Sequence, residues 1–429
     1  MSVLKETTPA MIRKTIRYRY VIFGIAAVAY FLVFFHRTST AVMAPNLSAD
    51  FGIGPAQVGL FGSMYFYAYA IFQLPSGLLA DRWGARKTTS LFLLIAGIGA
   101  LMFGIFDSFN MALGARFLVG LGVAFIYVSA MLLVAEWFKS NEYSTYVGFL
   151  VSIGNFGSLA ASAPLVALMA AIGWRNAMAS IGLFSVFIAA LLYIFVRNKP
   201  EEIGAANPNR SLKSYTEPIP QMKISQVLKI LFKKYEFWTL LLLMFGWAGT
   251  LLALHGLWLG PYLMNVYHLS QQEAGNMIMF VAIGAIIGSP IMGIIADRVA
   301  VSKKKLIMAG VLSMIIMLIP LIFFIDAMSL NFLKVLMFLF GFFGYSTMLE
   351  WPYLKENVDL SMYGTAAGLI NFSGFLGGAL FQQILGIIIA RAPVADNYIA
   401  ASGFKSAFLF CFVYLIIALS IFSIKREAR

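Results

Sequence analysis

Long apolar stretches recur along the whole chain, separated by short polar segments. A membrane-spanning helix needs about 20 mostly apolar residues, and twelve stretches are of about this length. Spans of a transmembrane β-barrel would be about ten residues long and strictly alternating, so these stretches are predicted to be helices. The predicted spans are Tyr20–Ala44, Val58–Ala80, Thr89–Phe106, Leu113–Phe138, Tyr146–Met169, Ala177–Val196, Phe237–Tyr262, Gly275–Ala296, Leu306–Ile325, Phe332–Tyr353, Gly364–Ala390 and Ser402–Ile424.

Composition agrees with a lipid surrounding. Of 429 residues, 61% are hydrophobic and 11% are charged, whereas soluble domains carry about 25% charged residues. The first apolar run follows a basic stretch, Met1–Arg19. It is too long for a signal-peptide core and ends without a convincing cleavage site, so it is predicted to be a retained first span.

The basic residues predict the orientation in the membrane. If the amino terminus is cytoplasmic, 25 of the 31 Lys and Arg residues fall in cytoplasmic segments, as the positive-inside rule requires. An even number of spans puts both termini in the cytoplasm, and we expect a multi-pass plasma membrane protein, of the inner membrane in a bacterium. The net charge of +13 is thus a topology signal and indicates no nucleic-acid partner.

The longest polar segment divides the chain into two halves. We predict a first bundle at 1–197, a proline-interrupted cytoplasmic linker at 198–234 and a second bundle at 235–429. In the linker, four apolar residues fall on one helical face. They predict either a short amphipathic helix on the membrane surface or the first turns of the seventh span. These residues are Ile224, Val227, Leu228 and Leu231.

The two halves resemble each other at a constant offset of 216 residues. The shared pattern Gly-x-x-Ala-Asp-Arg occupies the same place in each half and is hard to obtain by chance in so apolar a chain. A duplicated six-span unit is typical of transporters. The matched residues are Pro45 and Pro261, Leu47 and Leu263, Gly59 and Gly275, Gly77 and Gly293, Ala80 and Ala296, Asp81 and Asp297, Arg82 and Arg298, and Lys87 and Lys303.

The first copy of the repeat, Gly77-Leu-Leu-Ala-Asp-Arg-Trp-Gly-Ala-Arg-Lys87, joins the second and third spans. It resembles the Major Facilitator Superfamily signature, apart from one extra residue before the final Arg-Lys pair. The resemblance implies an all-α fold of two six-helix bundles and a monomeric, non-enzymatic secondary transporter without cofactor, working by alternating access. In this family the aspartate faces the start of the eleventh span, here near Gly364, as part of a cytoplasmic latch. The alternative is an ordinary basic turn.

The predicted gate comprises Gly77, Asp81, Arg82, Gly84, Arg86, Lys87, Asp297 and Arg298. A second family pattern, Arg116-x-x-x-Gly-x-Gly-x-Ala124, lies in the fourth span. In proton-coupled members of the superfamily this arginine is implicated in coupling. The glycine- and proline-rich motif of drug/proton antiporters is not convincingly present in the fifth span.

Ionisable groups deep in a span are costly and usually face a cavity. Arg37 resembles the span-one arginine of organic-anion/proton symporters, with His36 in place of the family's aspartate. A guanidinium binds a carboxylate through two parallel hydrogen bonds. The alternative is that Arg37 reaches the outer surface along its own aliphatic stem.

Further polar and aromatic residues lie on the inner faces of predicted spans. Each can contact substrate, and each can instead pack or hydrogen-bond within the bundle; Trp258 can also belong to an interfacial aromatic belt. The predicted substrate site comprises Tyr30, His36, Arg37, Tyr127, Asn155, Trp247, His255, Trp258 and Asn371.

Three residues are predicted to participate in coupling to a proton: Arg116, His36 and Glu350. Glu350 shares a helical face with Ser346 and Thr347 and is the carboxylate placed furthest inside a span, although an interfacial position is the alternative.

Cys411 is the only cysteine and the three histidines are far apart, so no metal site is predicted. The sequence predicts a proton-coupled transporter of small organic anions, or alternatively a proton antiporter that exports amphipathic compounds.

Overall fold

The computed structural model describes residues 8–208, 224–298, 302–344, 350–395 and 398–424. In the first half of the chain, the regular elements within these ranges are all helices, joined by short turns. Its helices are α1 (Pro9–Thr38), α2 (Thr40–Phe51), α3 (Pro55–Trp83), α4 (Ala85–Ile105), α5 (Phe109–Val123), α6 (Ile126–Trp137), α7 (Tyr143–Ala160), α8 (Ala163–Ile172) and α9 (Trp174–Phe195).

A 3₁₀ turn at Pro200–Ile203 and α10 (Ile224–Leu231) lie between the halves. The second half contains one short antiparallel ribbon, β1 (Val394–Ala395) with β2 (Tyr398–Ile399). Its helices are α11 (Tyr235–Ala253), a π-helical segment (Leu254–Trp258), α12 (Leu259–Val266), α13 (Gln271–Arg298), α14 (Lys303–Phe323), α15 (Leu330–Gly344), α16 (Glu350–Asn357), α17 (Leu360–Ile389) and α18 (Ala401–Ser423).

Within the described ranges, nine helices are long and apolar enough to cross a membrane, or ten if the bent pair α7 and α8 forms one span. The twelve stretches predicted from hydrophobicity are therefore recovered only in part. The 29-residue helix α3 is not among the nine. It carries several Tyr, Ser, Gln and Gly residues and packs between α5 and α17, so less of its surface needs to be apolar toward lipid.

The repeat in the sequence is also a repeat of helices. α3 and α13 begin 216 residues apart, and each is followed by a 21-residue helix, α4 or α14. The first span of each half is interrupted, at Ser39 between α1 and α2 and at the π-helical segment between α11 and α12. These interruptions occur at equivalent positions of the two halves, because Ser39 corresponds to His255 at the offset of 216.

The linker helix α10 is separate from α11 and packs against α17. Among its described side chains, Val227 and Leu231 are buried, at 2% and 0% exposure, so part of its apolar face is covered by protein. The beginning of the linker is bound to the first half, since Thr15 Oγ1 donates a hydrogen bond to Ala206 O at 2.7 Å. Each half therefore holds one part of the linker.

The two halves touch at one end of the bundle and separate at the other. At the closed end, a Cβ atom on Gly59 of α3 would lie 2.7 Å from Gln382 O of α17, and Ser63 Oγ donates to Ala379 O at 2.7 Å. At the open end of the same helix pair, a Cβ atom on Gly77 or Gly364 would meet nothing within 4 Å. We call these regions the closed end and the open end.

Candidate functional site

Arg37 lies at the carboxyl-terminal end of α1, where the closed end begins, and is 7% exposed. Its guanidinium carbon is 4.4 Å from the ring centre of Phe34 and 5.8 Å from that of Tyr69, both in the first half. It is also 5.2 Å from the ring of Phe375, on α17 of the second half. All three distances are within the range of cation–π attraction, so Arg37 contacts aromatic rings of both halves.

The interruption of the first span is held by Arg116 of α5. Its Nη2 donates to His36 O and to Thr40 Oγ1, both at 2.8 Å, and Ser39 Oγ also donates to His36 O, at 3.3 Å. Arg116 is 2% exposed and lies over the ring of Tyr65 at 4.9 Å. A helix break inside a membrane leaves carbonyl groups that must be satisfied internally, and Arg116 satisfies one of them.

Two histidines are buried at the level of this break. His36 is 0% exposed, and neither ring nitrogen has a hydrogen-bond partner among the described residues. His255 is 2% exposed, close enough to Arg37 to interact with its charge, and its Nε2 has no partner in the described part of the chain. Buried polar atoms without partners are uncommon, so these nitrogens have hydrogen-bonding capacity that no described residue uses.

Other predicted site residues lie between Arg37 and the open end. Tyr30 precedes Arg37 by about 10 Å along α1 and stacks on Tyr127 with ring centres 5.1 Å apart. Asn371 is half-buried on α17, one turn before Phe375. Tyr30, Tyr127 and Asn371 therefore lie nearer the open end than Arg37 does.

Three predicted substrate residues, Trp258, Asn155 and Trp247, are fully buried in this conformation. Trp258 donates its Nε1 hydrogen to Gln382 O at 2.9 Å, and its ring fills the space between Gly59 and Gly386 at the closed end. Asn155 donates to Val151 O of its own helix at 3.1 Å. Trp247 is 0% exposed. Of these three, Trp258 lies directly in the contact between the halves.

Glu350 is the only buried carboxylate among the side chains that the structure describes, at 8% exposure. It begins α16, which packs against α17, and it interacts with Tyr363. Tyr363 precedes Phe375 by twelve residues, about 18 Å of helix. Glu350 is therefore near the open end and is not brought together with Arg37; Ser346 and Thr347 lie outside the described residues.

The predicted gate motif is found at the open end, in contact with its own half. Arg86 N and Nε donate to Asn198 Oδ1 at 2.9 Å and to Tyr193 O at 2.8 Å. Gly84 has φ of 81°, which favours glycine. Asp81, Arg82 and Lys87 are exposed, and within the described ranges Asp81 forms no ion pair. The side chains of Asp297 and Arg298 lie outside the described part of the structure.

Sequence reasoning missed Tyr65, Phe375 and Gln382. Tyr65 donates to Val33 O at 3.1 Å below Arg116, and Gln382 Nε2 donates to Leu252 O at 3.0 Å. Gln382 could have been found by the rule that selected Asn371, since both are amides inside a span. Phe375 is one of 39 phenylalanines, and only its three-dimensional contacts distinguish it.

Comparison with known proteins identifies the relatives of this chain. The probable sulfoacetate transporter SauU of Cupriavidus necator is 22% identical over 401 residues, which cover 91% of this chain and 92% of that protein. The hexuronate transporter of Bacillus subtilis is 25% identical over 390 residues, covering 87% and 88%.

A solved bacterial homologue of the human lysosomal transporter Spinster, in an inward-facing and occupied conformation, shares the fold. It superposes with a TM-score of 0.74 at 19% identity, covering 94% of this chain and 96% of that one. A family model described as Major Facilitator Superfamily matches residues 26–382. Since that match spans well over half of its length, the chain belongs to the Major Facilitator Superfamily of membrane transporters.

Proposed function

We propose that this protein carries small organic anions across the membrane and that Arg37 binds their carboxylate or sulfonate group. The observation that carries the proposal is the position of Arg37, a buried guanidinium between the halves at the level where the closed end begins. Sulfoacetate and hexuronates, which the names of the two relatives specify, are anions at neutral pH. The planar guanidinium of arginine can donate two parallel hydrogen bonds to an acidic group of this kind.

The remaining contacts to substrate are assigned to residues on the open side of Arg37. Tyr30, Tyr127 and Asn371 can bind hydroxyl groups, and His255 can donate or accept through Nε2. We assign Trp258 to the packing of the closed end, because its indole hydrogen is already donated to Gln382 O. Trp247 and Asn155 remain further candidates for substrate contact. Reorientation of the halves, 1–197 and 235–429, about this site gives alternating access.

We further propose twelve spans with both termini and the open end in the cytoplasm. Most Lys and Arg residues fall on that side, and positive charge favours the cytoplasmic face. This conformation is then inward-facing, like the Spinster homologue with which it shares its fold. The protein is placed in the plasma membrane, the inner membrane in a bacterium, and works as a monomer.

Proton coupling is assigned to Glu350, with His36 as a second proton-accepting group. Glu350 is the buried carboxylate of the described chain, and carboxylates inside the membrane commonly relay protons. Arg116 contributes by holding the helix break between His36 and Thr40. Glu350→Gln should therefore abolish uphill uptake driven by a pH gradient while retaining exchange of internal for external substrate; loss of both activities would contradict the assignment.

In the outward-facing state, the segment Gly77–Lys87, which comprises the end of α3, Gly84 and the start of α4, is proposed to close the open end. Asp81 is exposed and free of ion pairs with described residues in this conformation, which leaves it available to the start of α17 near Gly364. An anionic side chain is stabilised at a helix amino terminus. Asp297 and Arg298, at the end of α13, are assigned the same role in the second half.

Binding to purified protein tests the proposed substrate class. Sulfoacetate and a hexuronate should raise the unfolding temperature of the wild-type protein by mass action, whereas glucose should not. Arg37→Ala should remove this shift and the uptake of the anion while the protein stays folded. Arg391→Ala removes an exposed arginine at the closed end and should leave both unchanged. An anion shift that survives in Arg37→Ala would end the proposal.

A further inference from the structure

The aromatic rings around Arg37 include one that belongs to the opposite half. Phe34 and Tyr69 move with Arg37, because α1 and α3 belong to the first half, but Phe375 lies on α17. Phe375 also contacts Tyr69, with ring centres 4.0 Å apart, and stacks on Phe66 at 6.3 Å. The Arg37–Phe375 pair is thus a contact that must break when the closed end opens.

An anion and Phe375 compete for the same guanidinium. Attraction between a cation and the face of an aromatic ring requires the positive charge. A carboxylate that accepts two hydrogen bonds from the Arg37 guanidinium neutralises much of that charge, and these charge-assisted hydrogen bonds are stronger than the cation–π contact. A bound anion therefore weakens the Arg37–Phe375 contact. The contacts of Gly59, Ser63 and Trp258 are unaffected, because none of them involves Arg37.

We infer that Phe375 is the residue through which a bound anion loosens the closed end, by giving up its contact with the Arg37 guanidinium. This inference rests on the proposed function, since it assumes that the anion binds Arg37. A ligand shifts a conformational equilibrium only by its difference in affinity for the two states. Phe375 provides that difference, because it weakens anion binding in the present conformation and not in the one where α17 has moved away.

The position of Phe375 also separates its role from plain packing. It is half-buried on the open side of the α3–α17 contact, so an anion arriving from the open end reaches it before any deeper contact. Phe66 is fully buried in the same interface and is not in cation–π contact with Arg37. Phe66→Leu removes the same atoms as Phe375→Leu and is the matched control.

The experiment measures anion affinity and the conformational response on the full-length protein. A cysteine at position 364, placed by Gly364→Cys, reports the open end through its reaction rate with a maleimide; the native Cys411 is 0% exposed and does not compete. Sulfoacetate should slow this reaction in the wild type. In Phe375→Leu, sulfoacetate should bind about 2- to 30-fold more tightly, and its effect on the reaction rate should shrink by the same factor.

Control variants distinguish the loss of the Arg37–Phe375 contact from a general loss of packing between the halves. Phe66→Leu should change the starting reaction rate but keep the full response to sulfoacetate. In an Arg37→Ala background, the response to sulfoacetate should be absent both with and without Phe375→Leu. If Phe375→Leu keeps the full response, or binds sulfoacetate more weakly, the inference is wrong while the proposed function stands. If the wild type binds neither sulfoacetate nor a hexuronate, the proposed function fails and the inference falls with it.

Discussion

The two ends of the α3–α17 pair have opposite environments around their glycines. Gly59 and Gly386 allow the halves to approach until backbone meets backbone, and Trp258 fills the remaining space. Gly77 and Gly364, on the same two helices, face open space. Small residues permit close helix approach but do not cause it. The difference teaches that, for these four glycines, the surroundings of a Cβ atom tell which end of the helix pair is closed in this conformation.

The largest effect is expected from Gly260→Ala. A Cβ atom at this position would overlap the backbone carbonyl of Ala41 in the contact between α12 and α2, and overpacking of this kind costs about 1–3 kcal/mol. The closed end should open and the open end should close. The maleimide reaction of Gly364→Cys should fall at least fivefold, and an unchanged rate would show that the α2–α12 contact does not hold this conformation.

Gly59→Ala should also open the closed end and close the open end, but to a smaller extent than Gly260→Ala. Its Cβ atom would lie 2.7 Å from Gln382 O and 3.3 Å from the Trp258 ring, a smaller overlap that costs about 1 kcal/mol. The same reporter should react a few times more slowly. A rise in its reaction rate would contradict the assignment of Gly59 to the closed end.

Tyr67→Phe removes one hydrogen bond between the halves. Tyr67 donates to Gln383 Oε1 at 2.6 Å, and such a bond contributes about 0.5–1.5 kcal/mol net. Because Tyr67 and Gln383 are only half-buried, we expect the low end of this range, so the maleimide reaction of Gly364→Cys should slow about twofold. Tyr65→Phe is the control at a hydroxyl that bonds within the first half, to Val33 O, and it should leave the equilibrium between the two states closer to that of the wild type.

Gly77→Ala should have the smallest effect on the maleimide reaction rate of Gly364→Cys. Any change should be an increase, whereas the preceding substitutions lower the rate. Its Cβ atom would meet nothing within 4 Å, while alanine is favoured over glycine within a helix. If α3 and α17 approach at this point when the open end closes, the substitution disfavours that other state alone. The reporter should react at the wild-type rate or faster, and slowing comparable to that of Gly59→Ala would abolish the contrast between the two ends.

Much of the architecture could be predicted from hydrophobic length and the repeat. α4, α9 and α14 begin and end within four residues of the predicted spans, because lipid imposes both apolarity and length on a crossing helix. The interruptions were not predicted. Ser39 is flanked by no proline or glycine, and the break there is stabilised by Arg116, which is 77 residues distant in the sequence.

Some residues of the candidate site could be selected from the sequence by one criterion, the free-energy cost of burying a charged side chain in the membrane. A charge placed deep in a span is expensive, and this argument selected Arg37, Arg116 and Glu350, all of which are buried. The argument could not tell which of them share a site. Arg116 is committed to a backbone carbonyl, and Glu350 lies near the open end. Such distinctions depend on tertiary contacts that leave no local pattern.

The hydrogen bond from Arg116 to the main chain has an electrical consequence. No carboxylate in the described ranges lies within ion-pair distance of this guanidinium, so its charge travels with the first half whenever that half tilts. Moving one elementary charge through a full 100 mV costs about 2.3 kcal/mol. A partial displacement would cost a corresponding fraction of this energy, so we expect the conformational change of the unloaded carrier to depend on the membrane voltage.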